Sequence, residues 1–366
     1  MEGKRKFDTG QEAAAGSSED GPSKELSLVV SKKARTDNQL SLPTKGKELS
    51  VSGSQPARRT SGLLAPIMLL TGHQAEVHTV KFDPKGKALA SGSFDKRIFL
   101  WDVYGECENY AVLDGHKNAV LELHWSTDGD RLYSASADKT AASWDAEVCR
   151  RLRKFGEHNA FVNTCCPSRK EDPLLVTGCD EGMVKLWDTR VKRSQATFEH
   201  SYSITAVAFS EDAQQVFSAS LNNKINVWDV RKQDVVYTLD DHNETITGIS
   251  LSPDGSYLLT NCMDNFLRIF DIRPFVPGDR CLKFFSGIAH GFDHNLLKCN
   301  WSADGSKVSG GSADRLVHIW DTTSRKQLYM LPGHTGTVNE VAFHPNEPII
   351  VSCSADKNIY LGEIEP

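Results

Sequence analysis

The stretch Leu89-Ala-Ser-Gly-Ser-Phe-Asp-Lys-Arg-Ile-Phe-Leu-Trp-Asp102 decides the fold, because its pattern returns six more times along the chain. Each copy runs from a His through a Ser-x-Asp triplet to a Trp-Asp pair, or to close variants of these. The last residue of each copy falls at 102, 145, 188, 229, 271, 321 and 363, so five of the six intervals are 41 to 43 residues long and one is 50. Repeats of about 40–45 residues with this opening and close indicate one four-stranded blade each. The sequence therefore predicts an all-β, seven-bladed β-propeller.

The repeat resembles that of the WD40 family, in which a His, a Ser, an Asp and a Trp form a hydrogen-bonded tetrad. An Asp that accepts from the His and the Ser, with the indole N–H ending the chain, satisfies polar groups that are costly to bury alone. The predicted members are His73, Ser93, Asp95 and Trp101 in the first repeat, His116, Ser136, Asp138 and Trp144 in the second, and Ser312, Asp314 and Trp320 in the sixth.

Several repeats depart from this pattern. Glu181 and Asn222 stand at the Asp position, and Phe270 stands at the Trp position. Cys179 and Cys262 stand where the tetrad Ser is expected. We expect these blades to be held less firmly than the first two.

An enzymatic interpretation of the same residue types competes with the structural one. Ser, His and Asp also build nucleophilic triads, but a triad converges once, in one cleft with an oxyanion donor. These trios recur at fixed offsets in successive repeats, which a single active site does not require. The nine Cys show no C-x-x-C spacing, which favours neither a zinc site nor a disulfide framework. We therefore expect no catalytic residue, no metal and no cofactor.

Residues 1–62 differ in composition from the rest of the chain. They contain no Trp, Tyr or Ile and are rich in Ser, Gly, Ala, Lys and Glu. Such a segment buries too little apolar surface to offset its ordering entropy, so a disordered N-terminal tail is predicted. The clusters Lys4-Arg-Lys6 and Lys32-Lys33-Ala-Arg35 are weak candidates for a nuclear import signal. A merely solubilising tail fits the composition equally well.

Charge and hydropathy exclude some classes of function. The tail carries 11 Lys and Arg against 8 Asp and Glu, so in a chain of net charge −6 the remaining residues carry −9. That balance argues against a broad face that grips nucleic-acid phosphates. The N-terminus has no apolar h-region, and no run of about 18 apolar residues occurs, so neither secretion nor membrane spanning is expected.

The propeller is predicted to occupy residues 63–366, with one strand displaced in sequence. The last repeat ends at Pro366 and leaves no residues for an outer strand of its own. The apolar segment 66–71 lies just before the first repeat and is predicted to fill that position. Pairing the two ends closes the ring and removes two exposed sheet edges.

The residues after each His and those flanking each Asp are expected at one end of the blades, which we term the top face. Turns such as Ser252-Pro-Asp-Gly255 are expected at the opposite, bottom face. Aromatic side chains exposed at a rim suit the binding of a protein partner. The candidate partner-binding residues of the top face are Glu76, Phe94, Phe161, Tyr202 and Phe292. The alternative is that they pack on neighbouring blades.

Two further departures bear on function. The 50-residue interval adds residues 274–278 and Phe284-Phe285, either as a binding loop or as a longer hairpin that covers its own Phe side chains. The run Arg150-Arg-Leu-Arg-Lys154 is predicted on an outer strand. Such a run is typical of a solvated edge that blocks strand addition, with contact to RNA or to an acidic partner as the alternative.

Longer tracts of the sequence resemble one family of WD40 proteins, the WD40 subunits of the spliceosomal U5 small nuclear ribonucleoprotein (U5 snRNP). The resemblance covers about residues 64–365. Its tracts include Ala65-Pro-Ile-Met-Leu-Leu70, Trp101-Asp-Val-Tyr-Gly-Glu-Cys107, Asn261-Cys-Met-Asp264, Arg273-Pro-Phe275, Trp320-Asp-Thr-Thr-Ser-Arg325 and Asn339-Glu-Val-Ala-Phe-His-Pro345.

This resemblance implies a non-catalytic scaffold subunit of the spliceosome in pre-mRNA splicing, located in the nucleus. It implies membership of the U5 snRNP and the U4/U6.U5 tri-snRNP. The implied partners are the large central scaffold protein of the spliceosome and other U5 snRNP proteins. Association with RNA is expected to be indirect, without membrane contact, and the propeller is expected to be a monomer within a large complex.

Two other functions remain open at this point. Arg190, Arg231 and Arg273 each follow a Trp-Asp or Phe-Asp pair by two residues, on three successive blades. This resembles the motif by which substrate receptors dock onto the adaptor of cullin-RING ubiquitin ligases, although such an Arg also braces a neighbouring turn. The negative charge of the propeller is compatible with a third function, the reading of basic peptides in the central channel.

Overall fold

A computed structural model describes residue 59 and residues 61–170, 173–293 and 295–365 of the chain. These residues form 28 β-strands, and no helix occurs among them. The strands group into seven four-stranded antiparallel sheets, which confirms the predicted seven-bladed propeller. The predicted disordered tail lies outside the described residues, except for residues 59, 61 and 62.

Each blade runs in sequence order from its inner strand to its outer strand. Blades 1 to 4 comprise β2 (Val77–Phe82), β3 (Ala88–Ser93), β4 (Ile98–Asp102) and β5 (Asn109–Leu113); β6 (Val120–Trp125), β7 (Arg131–Ser136), β8 (Thr140–Asp145) and β9 (Arg150–Phe155); β10 (Val162–Pro167), β11 (Leu174–Cys179), β12 (Met183–Asp188) and β13 (Ser194–Glu199); β14 (Ile204–Phe209), β15 (Gln215–Ser220), β16 (Ile225–Asp229) and β17 (Val235–Leu239).

Blades 5 to 7 repeat this order, except at the last position. They comprise β18 (Ile246–Leu251), β19 (Tyr257–Cys262), β20 (Phe266–Asp271) and β21 (Cys281–Ser286); β22 (Cys299–Trp301), β23 (Lys307–Gly310), β24 (Val317–Asp321) and β25 (Gln327–Leu331); β26 (Val338–Phe343), β27 (Ile349–Ser354) and β28 (Ile359–Glu363), with β1 (Ile67–Leu70) as the outer strand of blade 7.

Strand β1 joins the two ends of the propeller. It pairs antiparallel to β28, with Ile67 opposite Gly362 and Leu70 opposite Ile359. Just before β1, Arg59 Nη2 lies 3.0 Å from Glu363 Oε1, and the Gly62 N–H donates to Glu347 Oε2 at 2.7 Å. The structure therefore places the described end of the predicted tail against blade 7.

The apolar core lies between blades rather than within them. Leu100 and Leu113 of blade 1 pack in one cluster with Leu123 and Trp144 of blade 2. At the junction of the two chain ends, Leu70 belongs to a buried cluster with residues of blades 7 and 1. Because each blade shares its core with two neighbours, the blades stabilise one another around the ring.

A hydrogen-bonded chain pins blade 1. The His73 Nδ1–H donates to Asp95 Oδ2 at 2.8 Å, while His73 Nε2 accepts from the Ser91 hydroxyl at 2.8 Å. The Trp101 indole N–H donates to the same hydroxyl at 2.9 Å. Ser91 is therefore the central member, and the prediction of Ser93 was wrong.

The register of the blade explains this correction. Ser91 and Ser93 point to the same side of β3, because side chains alternate along a strand. Trp101 is paired with Leu89, which is two residues from Ser91 and four from Ser93. The indole therefore reaches Ser91, while the Ser93 hydroxyl donates to Ala75 O and accepts from the Asp95 N–H in the turn.

Blade 2 repeats the same chain and the same correction. His116 Nδ1 lies 3.0 Å from Asp138 Oδ2, and the Trp144 indole N–H donates to Ser134 Oγ at 2.8 Å. Ser134, not Ser136, occupies the central position, because Ser136 donates to the carbonyls of Asn118 and Ala119.

Blade 6 does not form the predicted Ser312, Asp314 and Trp320 arrangement. Gly310 lies at the position of Ser91, so no hydroxyl is available there. His318 of β24 donates from Nε2 to Asp314 Oδ2 at 2.7 Å instead, and its ring stacks on Trp320 with centroids 5.6 Å apart. Ser312 accepts the Ala289 N–H and takes no part in this contact.

Blades 3, 4 and 5 keep a hydroxyl at the position of Ser91, but in the described structure their His residues make no hydrogen bond to a carboxylate. Thr177 and Thr260 bond the Nε2 atoms of His158 and His242, so Cys179 and Cys262 do not stand in for the Ser. The Nδ1 atoms of both His residues are buried without a partner in the described structure. Burial lowers the pKa of His158 to about 4 and that of His242 to about 3, so both rings are neutral at pH 7.

The 50-residue interval is distributed differently from the prediction. Phe284 and Phe285 are ordinary members of the outer strand β21, where Phe285 is buried and pairs with Leu267. The added length lies in the connections 272–280 and 287–298. In the sequence, two adjacent Phe residues fit an inserted loop as well as they fit a strand that exposes one Phe and buries the other. Composition alone could not distinguish these two possibilities.

Replacing Leu70 tests closure of the ring. Leu70→Ala removes a side chain that is 3% exposed, and we expect the free energy of unfolding to fall by about 2–5 kcal/mol. The control Leu69→Ala alters the adjacent residue, which is 52% exposed, and should change the free energy of unfolding by less than about 0.5 kcal/mol. Urea unfolding measures both, and equal effects would argue against the closing role of β1.

Replacing Asp138 tests the hydrogen-bonded chain. Asp138→Ala leaves the buried His116 Nδ1–H without its acceptor, so unfolding free energy should fall by about 1–3 kcal/mol at pH 7. The pKa of Asp138 lies below its usual value because hydrogen bonds, led by that of His116, outweigh burial, which would raise it. Its contribution is therefore lost as pH falls, and the wild type and the variant should converge in acid. An unchanged unfolding midpoint at pH 7 would show that Asp138 is not a member of the hydrogen-bonded chain.

Candidate protein-docking faces

Four aromatic side chains stand exposed on the top face. Phe94 and Tyr202 are each 55% exposed, Phe161 is 46% exposed and Phe292 is fully exposed. They belong to blades 1, 4, 3 and 6, and none is buried against a neighbouring blade. Glu76 is half-buried, and its carbonyl accepts the Phe94 N–H at 2.9 Å, which joins the loop after His73 to the Asp95 turn.

A ladder of hydrogen bonds joins the top loops of blades 3 and 4. The Asp180 N–H donates to Phe161 O, and the Ser203 hydroxyl donates to Asp180 O at 2.7 Å. The Leu221 N–H then donates to Ser203 O at 3.0 Å. These contacts bring together the exposed side chains of Phe161, Tyr202 and Leu221, which we term the blade 3–4 patch.

Leu221 was missed at the sequence level, although a signal existed. It lies between Ser220 and Asn222, at the position that Phe94 occupies between Ser93 and Asp95. It is 47% exposed. A search for aromatic residues passes over an aliphatic one at the same position.

The central channel contains two buried ion pairs that the sequence did not predict. Lys81 of blade 1 lies 2.5 Å from Glu340 of blade 7, and Asn300 of blade 6 accepts from Lys81 and donates to Glu340. Lys298 of blade 6 lies 3.2 Å from Glu122 of blade 2. Since blades 6 and 2 stand on opposite sides of a seven-bladed ring, this second pair crosses the channel.

The crossing pair bears on the peptide-reading hypothesis. Burial alone would raise the pKa of Glu122, but the Lys298 charge, together with the contacts of His124 and Thr164, outweighs it, and the pKa lies well below the usual range. Burial and the same Lys298 charge lower the pKa of His78 to about 4, so His78 is neutral at pH 7. A peptide threaded through the channel would have to separate Lys298 from Glu122, which argues against that function.

Two of the three arginines of the ligase hypothesis are engaged within their own turns. The Arg190 guanidinium donates to both carboxylate oxygens of Asp188, with Nη2 to Oδ2 at 2.8 Å. Arg273 makes the same bidentate contact with Asp271. Arg231 is exposed, and its backbone N–H donates to Asp229. This geometry favours the bracing role, and use of the three residues in ligase docking stays a prediction.

The basic run forms most of β9 on the outside of blade 2. Arg151 Nη1 donates to Gly115 O at 2.9 Å, and its guanidinium lies 6.0 Å from the centroid of the Trp144 ring. Arg150 and Lys154 are exposed. The run therefore behaves as a solvated edge in which one member braces its own blade.

Among residues 59, 61–170, 173–293 and 295–365, no group of three or more His, Cys, Asp or Glu is placed to hold a metal ion. In the same residues, no helix has the length and apolarity needed to span a bilayer.

The ring of seven four-stranded blades, with His, Asp and Trp contacts inside them, defines a WD40-repeat propeller. The WD40 family (WD domain, G-beta repeat) matches residues 64–102, 107–145, 149–188, 192–229, 233–271, 280–321 and 325–361.

Three relatives identify the family within the WD40 class to which this chain belongs. The U5 small nuclear ribonucleoprotein 40 kDa protein of Dictyostelium discoideum is 52% identical over 336 residues, which cover 92% of this chain and 94% of the relative. The protein of the same name from Homo sapiens is 51% identical over 347 residues, covering 93% and 97%. The pre-mRNA-splicing factor cwf17 of Schizosaccharomyces pombe is 44% identical over 307 residues, covering 84% and 90%. The chain belongs to the family of U5 small nuclear ribonucleoprotein 40 kDa proteins.

Removing Lys298 tests the crossing ion pair. Lys298→Met removes the cation paired with the buried Glu122 and leaves its carboxylate with the Cys165 N–H donor, so we expect a loss of about 3–5 kcal/mol in unfolding free energy at pH 7. The double variant Glu122→Leu/Lys298→Met removes both charges and should recover much of that loss. The deficit of the single variant should also shrink in acid, where Glu122 becomes protonated. Additive effects in this double-mutant cycle, measured by urea unfolding, would contradict the pairing.

Proposed function

We propose that this chain is a non-catalytic scaffold subunit of the spliceosome that acts in pre-mRNA splicing in the nucleus. Its place is in the U5 snRNP and the U4/U6.U5 tri-snRNP. The observation that carries the proposal is 51–52% identity, over more than nine-tenths of both chains, to relatives named as U5 snRNP proteins. Such an extent of identity spans all seven blades and both faces.

A scaffold role fits how the polar residues are used. His73, Asp95 and Ser91 satisfy one another inside blade 1, and the rings of His73 and His116 are buried. A nucleophile must instead meet its substrate in an open cleft. The recurring trios therefore stabilise blades, which supports a binding function rather than catalysis.

The large central scaffold protein of the spliceosome is the proposed partner, and the blade 3–4 patch is the proposed contact. Phe161, Tyr202 and Leu221 offer apolar surface on loops whose backbones are already fixed by hydrogen bonds. Preformed apolar anchors of this kind supply most of the affinity of protein interfaces. Glu76, Phe94 and Phe292 extend the same face towards the other blades.

We propose that this chain associates with RNA indirectly, through partner proteins. The residues after the tail carry a net charge of −9, which opposes a broad phosphate-binding face. The basic strand β9 is local, and its Arg151 is already engaged with Gly115.

Affinity purification from nuclear extract tests this function. The tagged chain should recover U5 RNA and the large scaffold protein at mild salt, as judged by RNA sequencing and mass spectrometry. The triple variant Phe161→Ala/Tyr202→Ala/Leu221→Ala should lose about tenfold or more of that recovery, because it truncates three exposed anchors. Arg231→Ala, an exposed change on the bottom face, should retain it.

The outcomes separate the hypotheses. Recovery of a cullin and its adaptor without small nuclear RNA would contradict the spliceosomal function and support the ligase hypothesis. Full recovery by the triple variant would retain the spliceosomal function but refute the proposed contact. Thermal unfolding of each variant confirms that the propeller is folded before recovery is compared.

A further inference from the structure

A narrow groove opens on the bottom side between blades 5 and 6. It encloses a cavity of about 300 Å³. Blade 5 lines it with Tyr257, Ile269 and Leu282, and blade 6 lines it with Trp301 and Thr322. Leu282 is 41% exposed and marks the outer wall of the groove. A concave apolar cavity of this size has room for one or two side chains of a partner.

The Trp301 side chain is fixed before any partner arrives. Its indole N–H donates to Ser250 O of the preceding blade at 3.1 Å. The ring is therefore held at the base of the groove, and its contact surface costs little conformational entropy to present. Rigid aromatic walls of this kind are typical centres of binding energy at interfaces.

The mouth of the groove is acidic. Asp254 and Asp304 stand exposed on the two bottom turns, each held by a Ser hydroxyl, from Ser252 and Ser302 respectively. Burial opposes ionisation of Asp304, but hydrogen bonds from Ser302 and Ser306 lower its pKa to about 2. The nearby Lys283 is engaged, because its Nζ donates to Thr322 O at 2.7 Å.

The equivalent groove between blades 1 and 2 provides an internal comparison. Tyr110 and Trp125 occupy the positions of Leu282 and Trp301, and the Trp125 indole N–H likewise donates to the preceding blade, at Lys81 O. That groove is wider, about 600 Å³, and five carboxylates line it beside Lys85 and Arg131, from Asp83, Asp128, Asp130, Asp145 and Glu147. It therefore shares an acidic rim with the first groove but lacks its narrow apolar base.

We propose that the groove between blades 5 and 6 docks a segment of a partner protein in which an aliphatic or aromatic side chain lies next to an Arg or Lys. The apolar side chain enters between Leu282 and Trp301. The cation pairs with Asp254 and Asp304 at the mouth, which sets the direction in which the segment binds. This site is separate from the blade 3–4 patch and requires no other spliceosomal component.

A display library of randomised short peptides, panned on the purified full chain, tests this proposal. Enriched peptides should share an aliphatic or aromatic residue adjacent to Arg or Lys. Their affinity for Leu282→Glu should fall by about tenfold or more, since the variant places a charge in the apolar wall. Asp304→Asn should weaken binding less, and more strongly at low salt than at high salt.

The matched control is Tyr110→Glu, which makes the same change at the equivalent, similarly exposed position between blades 1 and 2. It should leave the peptide affinities unchanged. Failure to enrich any peptide, enrichment of sequences without the apolar and basic pair, or equal losses with Tyr110→Glu and Leu282→Glu would each overturn the proposal. The test uses the purified chain alone, so its outcome does not depend on the spliceosomal function.

Discussion

The structure depends on one constraint, which is that no blade can bury its own two apolar faces. Trp144 of blade 2 lies in a cluster with Leu100 and Leu113 of blade 1, and a similar shared core occurs at each junction. An open row of blades would leave two such faces in water. Closure by β1 against β28 removes both, because the strand adds Leu70 to the core between blades 7 and 1.

Once the ring is closed, buried polar groups bond one another both within the blades and in the central channel. The chains from Asp95 through His73 and Ser91 to Trp101, and their equivalent in blade 2, tie the top loops to the strands. In the central channel, Glu122 meets Lys298 across the axis, and Glu340 meets Lys81 of the neighbouring blade. Because these residues bond one another in the interior, the side chains available to partners are those of the top loops and of the grooves on the bottom face.

The repeat period was enough to predict the fold, the number of blades and the strand that precedes the first repeat. It could not select Ser91 over Ser93, because both lie on the same side of β3 and only the register of Trp101 separates them. Nor could it predict the contact of Glu122 with Lys298, since residues distant in sequence meet only after the ring has closed. The exposed Phe94, Phe161, Tyr202 and Phe292 could be predicted because they are aromatic. Leu221 is aliphatic, and only its position between Ser220 and Asn222 marks it as a residue of the top face.

Hydrogen exchange of the free chain, followed by mass spectrometry or NMR, tests the dependence on ring closure most directly. If β1 is an integral strand of blade 7, the amides that pair β1 with β28 exchange only through the same global opening as the amides that pair β27 with β28. Their protection should then fall together as denaturant is added. Rapid exchange in β1, with β26, β27 and β28 still protected, would contradict the account by showing that the ring stays stable without its closing strand.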